Sequence, residues 1–485
     1  LRVRGRGSDA ELMMAYLRAL ATEELDDLTY LDLVASATGQ IGDTLKPLAQ
    51  ARDLFRNWGF GIGKALRSVA STVSDSKVRG LVERMGKAVE AGMRSVAYVR
   101  MEYERMRDIG RREMENALDH AKTLGDLYMT LISTFTFLIA AFVIASSTFS
   151  GISGSTVLLF ILAGIVGSSL FVVFLTWRYV GTDTIVSTGP FAPHWMRFVE
   201  GAAPIALTAS VVASLLSGLL LDPHTGSLVS AGIGAAMTAF AASSWIRSRK
   251  IPALDADLPM IFRALSEVMA HFKDPTEAIE VVSEGQPKAI RRLLEKVTAL
   301  LRSGVELGTA MRSVFSGTGS RLATDASEIL VEGMRSGVPS HGIGGVIYLY
   351  LNDRLSMRKK RSQIAGYIKG VAYPSVGTSA AIMGVVGSLY GLLLDAISMV
   401  RQFLPLSPDL PLGLMWRVMV AAIVVISLTC ALLVYLIEGS SLAHLALYFG
   451  SMLLVSSAVF YLTSVGTTAL LESMTAHLSR LRSMW

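Results

Sequence analysis

Seven stretches of this chain are apolar over lengths close to the roughly 20 residues that an α-helix needs to cross a bilayer. They lie at 127–147, 156–176, 202–221, 228–246, 371–400, 418–437 and 442–463. In hydrocarbon every backbone N–H and C=O must find its partner within the chain, so such runs fold as helices and not as open strands. With 52% hydrophobic residues and a mean hydropathy of +0.48, the chain reads as an all-α, polytopic helical membrane protein.

Two charged segments with helical spacing accompany the apolar runs. The expected order is a helical domain over 1–126, a first transmembrane block over 127–250, a second helical domain over 251–365, a second transmembrane block over 366–465 and an amphipathic tail over 466–485. The blocks hold about four and about three spans. In the first domain Ser8-Asp9-Ala10-Glu11 reads as a helix start, with Leu12, Tyr16, Ala19 and Leu20 on one side. Further helices are expected over 30–37, 43–58, 62–72 and 77–118, the last long and alternating in charge.

The chain carries a net charge of +6, and its placement reads as topology before nucleic-acid binding. Lys and Arg gather in the two charged segments, between Arg178 and Arg197, and at Arg247, Arg249 and Lys250. The positive-inside rule assigns those parts to the cytoplasmic side of a cell membrane. An odd number of spans would put the C-terminus outside. Arg480 and Arg482, with a stripe of Leu470, Leu471, Met474, Leu478, Leu481 and Trp485, instead fit a helix lying on the membrane surface. Arg2, Arg4 and Arg6 are not followed closely by an apolar core, so no signal peptide is visible.

Ionisable groups deep in the spans would mark a transport path. Lys369, Asp395, Arg417 and Glu438 all fall near span ends, where snorkelling accounts for them. Gly59-Phe60-Gly61-Ile62-Gly63-Lys64-Ala65 approaches a phosphate-binding loop, but Trp58 stands where the first Gly is needed. Ala65 also follows the lysine where Ser or Thr would hold magnesium. There is no H-E-x-x-H, and His271, His341, His444 and His477 lack ligand partners at helical spacing; His444 is expected at the membrane surface beside Glu438. Cys430 reads as a small buried apolar side chain. The reading is non-enzymatic, with no cofactor and no metal.

The charged segments share words. Gly63-Lys64-Ala65-Leu66-Arg67-Ser68-Val69 and Gly92-Met93-Arg94-Ser95 in the first answer Gly308-Thr309-Ala310-Met311-Arg312-Ser313-Val314 and Gly333-Met334-Arg335-Ser336 in the second. Gly63 to Gly92 is 29 positions and Gly308 to Gly333 is 25, a difference of about one helical turn. Asp27-Leu28 and Asp257-Leu258 precede the two copies.

Two such domains, each followed by membrane spans and carrying these glycine-led words, resemble the type II secretion F-domain family. The layout is similar to that of the archaeal inner-membrane platform proteins of type IV pili and the archaellum. Bacterial members are usually shorter with three spans, and tight-adherence platforms carry one F domain per chain. The resemblance implies a six-helix bundle for each cytoplasmic F domain. It also implies a cytoplasmic hexameric secretion ATPase acting on these domains and pilin subunits lifted from the membrane, with a homodimeric platform passing on the motion.

Candidate contact residues follow. Arg67 and Arg312 read as equivalent positions, as do Arg94 and Arg335, and would serve a partner or an internal salt bridge. Arg358, Lys359, Lys360 and Arg361 form a juxtamembrane cluster suited to anionic lipid head groups. Gly387 and Gly391 make a G-x-x-x-G face for packing between protomers or within one chain. The competing readings are a transporter with cytosolic regulatory domains and a membrane receptor scaffold.

Overall fold

The computed structural model describes residues 6–146, 154–180, 194–400, 410–439 and 441–482. The turn expected over 148–155, most of the loop from Arg178 to Arg197, the stretch from Pro405 towards Pro411, Arg2, Arg4 and Trp485 lie largely or wholly outside the described residues. The helices are α1 (Arg6–Leu20), α2 (Asp27–Ala35), α3 (Gly39–Trp58), α4 (Ile62–Ala70), α5 (Ser76–Glu90), α6 (Ser95–Ser146), α7 (Gly154–Val180), α8 (His194–Leu220) and α9 (Pro223–Ser248). They continue with α10 (Lys250–Met269), α11 (Pro275–Glu284), α12 (Lys288–Arg302), α13 (Leu307–Ser316), α14 (Arg321–Arg335), α15 (Ser340–Val400), α16 (Leu412–Glu438) and α17 (Leu442–Arg482).

Local chemistry sets the boundaries. The side chain of Asp26 accepts from the Thr29 N–H at the start of α2, Asp75 from Lys77 and Val78 at the start of α5, Asp274 from Thr276 at α11, and Ser320 from Ala323 at α14. The helix expected over 77–118 divides, because Gly92 (φ 87°) turns the chain through a left-handed conformation between α5 and α6. From Ser95 the helix then runs 52 residues without a break, through the charged stretch and into the first apolar run.

The described residues fall into two compact units. The first, within Leu1–Asn116, Thr182–Arg197 and Ser248–Lys359, takes most of both charged segments. They do not make two separate cores. Tyr16, Leu20, Tyr30 and Met85 from the first segment belong to one buried cluster with Phe262, Leu294, Met311 and Ile329 from the second.

Inside this unit six helices recur in the same order, α1–α6 and then α10–α15. From the third helix onward the register is constant. Gly59 and Gly304, both left-handed (φ 64° and 85°), are 304 − 59 = 245 positions apart. The N-caps Asp75 and Ser320, the left-handed Gly92 and Gly337, and the first residues of α6 and α15 keep the same offset. Gly63 and Gly308 keep it too, so the apparent four-residue slip came from matching Gly92 to Gly333. Gly333 lies inside α14, and Gly92 lies in the turn after α5. Arg94 and Arg335 are therefore not equivalent; Arg335 answers Glu90. The Asp27-Leu28 match fails likewise, since Asp27 opens α2 and Asp257 lies within α10.

The second unit, within Ala117–Gly181, Phe198–Arg247 and Lys360–Trp485, is built from apolar helices. Among the described residues seven helices are long and apolar enough to cross a membrane, in keeping with the seven apolar runs. Of the most apolar window of α16, 72% of residues are buried inside the protein, against 22% for α7. Phe160, Leu170, Phe171 and Phe174 of α7 face outward, as lipid-facing side chains do. Small residues let the helices meet. A Cβ at Gly234 of α9 would lie 2.7 Å from the Gly450 carbonyl oxygen of α17, and one at Gly387 of α15 would lie 2.4 Å from the Trp416 ring of α16. Among the described residues a Cβ at Gly391 would meet nothing within 4 Å.

Candidate functional site

Among the described residues, buried acidic side chains gather on α14. Asp325, Glu328 and Glu332 fall at i, i+3 and i+7, on one side of the helix, and all three are buried. The reason lies in α3. Its N-cap Thr38 makes no capping bond with its own side chain, so the first N–H groups of α3 need acceptors from elsewhere. Glu332 supplies them, accepting from the Thr38 N–H (3.0 Å) and the Thr38 hydroxyl (3.1 Å). Glu328 takes a backbone hydrogen bond from Ile41. Two acidic side chains of the second helix set, Glu332 and Glu328, thus cap a helix of the first.

Basic groups balance them. Arg312 of α13 donates to Glu332, and Arg335 lies 3.6 Å from it while donating to the Ser36 carbonyl. The Tyr16 hydroxyl meets Ser336 Oγ at 3.0 Å. Asp325 accepts from the Tyr350 hydroxyl (3.1 Å), and burial raises its carboxyl above the ordinary range against the pull of Arg321 and Arg354. Burial also pushes Glu328 up to about 7, opposed chiefly by Arg312 and reinforced by Asp325 and Glu332. Further ion pairs tie the two sets together, Arg354 to Glu11 at 2.5 Å and Arg107 to Asp353 at 2.5 Å.

The arginines singled out from the sequence have these fates. Arg67 pairs with Glu90 at 2.6 Å on the surface, and Arg94 with Glu24 at 3.2 Å, both groups mostly exposed. Arg312 and Arg335 are engaged at Glu332. The basic cluster divides: Arg358 pairs at 2.6 Å with the buried Asp255. Arg361, 3% exposed, donates to the carbonyls of Ile437 (3.0 Å) and Leu436 (3.2 Å) at the end of α16. Neither guanidinium is free for a head group; Lys359 is exposed and Lys360 half-buried. Sequence reading missed the acidic side of α14, because three carboxylates at helical spacing ordinarily mark a solvated face. The signal that could have found it is the exchange between copies, Lys87 in the first for Glu332 in the second.

Within the apolar unit, Lys369 is not a snorkelling side chain. Its Nζ lies 3.0 and 3.1 Å from the two oxygens of Glu438 and donates to the Tyr448 hydroxyl at 2.7 Å. The Tyr448 hydroxyl donates in turn to Glu438. His444 meets Ser441 Oγ at 2.9 Å.

No family model matches this chain, and neither does any characterised protein or solved structure.

Proposed function

We propose that this chain is an integral membrane platform protein of a type IV filament machine, a pilus or an archaellum, coupling a cytoplasmic hexameric secretion ATPase to the insertion of pilin subunits. The observation that carries the reading is the recurrence of six helices in one order, at a register of 245 residues over the last four, with α6 and α15 each continuing into an apolar run. We read the two sets as duplicated F domains. The basic residues concentrated in them support a cytoplasmic position. A coupler needs cross-links between the parts that receive force; the buried Glu332 and the partly exposed Arg354–Glu11 and Arg107–Asp353 pairs are such links. In this reading the platform is a homodimer and hydrolyses nothing itself.

The test uses the purified chain in nanodiscs with its cognate ATPase. The chain alone is expected to hydrolyse no ATP and to change the hexamer's rate when added. Absence of both binding and rate change overturns the reading.

The half-buried Lys369–Glu438–Tyr448 cluster supports one other reading, a transporter with cytosolic regulatory domains. Solute flux in reconstituted vesicles that Lys369→Met abolishes would favour it.

A further inference from the structure

The repeat does not stop where the apolar runs begin. At the offset of 245 residues, Gly125 and Tyr128 of α6 answer Gly370 and Tyr373 of α15. The next helices correspond as well: α7 and α16 are each 27 residues long and start 412 − 154 = 258 positions apart. At that offset Ala163-Gly164-Ile165-Val166 answers Ala421-Ala422-Ile423-Val424, and Ser169-Leu170 answers Ser427-Leu428. Both serines are buried, and each meets a hydroxyl of a neighbouring span, Ser169 that of Tyr128 and Ser427 that of Ser456. The offset grows between these helices because α15 runs 61 residues against 52 in α6 and the connection after it is longer.

Equivalent helices also meet. α7 packs along α16. Arg107 of α6 pairs at 2.5 Å with Asp353 of α15, whose counterpart at the 245-residue offset is the adjacent Asp108. A Cβ on Gly125 would lie 2.8 Å from the side chain of Ile368, whose counterpart is Thr123. Like parts facing like mark a two-fold relation, in which one patch is used twice. The two helix sets share one buried cluster, so they lie on one side of the membrane that the spans cross.

Parity then isolates one helix. A copy that crosses with α6, α7 and α8 ends on the side opposite its start, and a second copy attached there would be inverted. The second copy crosses with α15, α16 and α17, and among the described residues it has no counterpart of α9. We infer that the chain is two parallel copies of one unit, six helices of which the last continues as the first of three spans, and that α9 is a return crossing that sets the second copy upright beside the first. The α7–α16 face is then a self-association surface, and its partner is the other copy in the same chain. α17, unbroken from Leu442 to Arg482, ends on the side away from both helix sets. This holds whether or not the platform reading does.

The experiment maps sides on the full chain in sealed membrane vesicles of known orientation, using a membrane-impermeant maleimide. Cys430→Ala removes the one native thiol, and single cysteines are placed at the exposed Ser71, Ser303, Asp222 and Ser473. Ser71→Cys and Ser303→Cys are expected to react from one face, and Asp222→Cys and Ser473→Cys only from the other. Replacing 228–246 by an unrelated apolar run that keeps Gly234, which touches α17, should leave this pattern unchanged. Deleting α9 should put Ser71→Cys and Ser303→Cys on opposite faces. Reaction of Ser473→Cys from the face of the helix sets overturns the inference, as does a changed pattern on replacement or both sets staying on one face after the deletion.

Discussion

Glu332 of α14 stands at the register of Lys87 in α5, and the exchange is balanced three positions later, where Arg335 answers Glu90. The equivalent arginines follow the acid. Arg67 turns to Glu90 on the surface, and Arg312 turns to Glu332 in the interior. One pattern of charge therefore gives a solvated ion pair in the first set and the tie between sets in the second.

The two pairs should differ in worth. Glu332 is fully buried and also caps α3, so Glu332→Ala strands Arg312 and the Thr38 N–H and should cost about 3 kcal/mol. Glu90→Ala should cost less than about 1 kcal/mol, because water replaces the lost partner. Denaturant unfolding of the two variants, followed by far-ultraviolet circular dichroism, checks the contrast; equal losses would refute it.

Stability should fall as pH rises through neutrality. The folded chain holds Glu328 protonated up to about 7, whereas its ordinary value is 4.5. Because the folded value is raised, the stability this proton supplies is full below the ordinary value and is lost as pH climbs through the folded one. Asp325 shifts in the same direction. The groups facing Glu328 are Arg312 of α13, Asp325 and Glu332 of its own helix and the Ile41 backbone of α3. Glu328→Gln should flatten the decline in Tm between about pH 5 and pH 8, measured by differential scanning fluorimetry.

Glycine placement gives a test in the apolar unit. Gly234→Ala sets a methyl group against the backbone of Gly450 and Leu454, and the helices must part, at about 1–3 kcal/mol. Gly391→Ala meets nothing and should be neutral. Thermal stability in detergent separates them.

Lys369 and Glu438 should couple. Lys369→Met leaves a half-buried carboxylate beside Tyr448 and should destabilise by about 1–3 kcal/mol, and adding Glu438→Gln should restore part of the loss. Simple additivity in the double-mutant cycle would argue that the pair does not interact.

Much of this architecture was legible because it rests on local rules. The lengths of the apolar runs correspond to seven membrane-length helices, and the Gly63 and Gly308 words mark α4 and α13. What was hidden depended on distant neighbours. Gly92 looked like part of a continuous helix until its left-handed conformation placed it with Gly337. The carboxylates of α14 drew no notice because nothing in their own helix reveals the uncapped N-terminus of α3, far earlier in the chain. Arg361 looked like a lipid contact because sequence cannot show that the last carbonyls of α16 are within its reach.

The burial of α16 sets how the membrane acts on the protein. A helix walled in by its neighbours touches little hydrocarbon, so a change in bilayer thickness is felt first by outward-facing α7. Reconstitution in thinner or thicker lipid should tilt the periphery while the centre of the bundle keeps its angle.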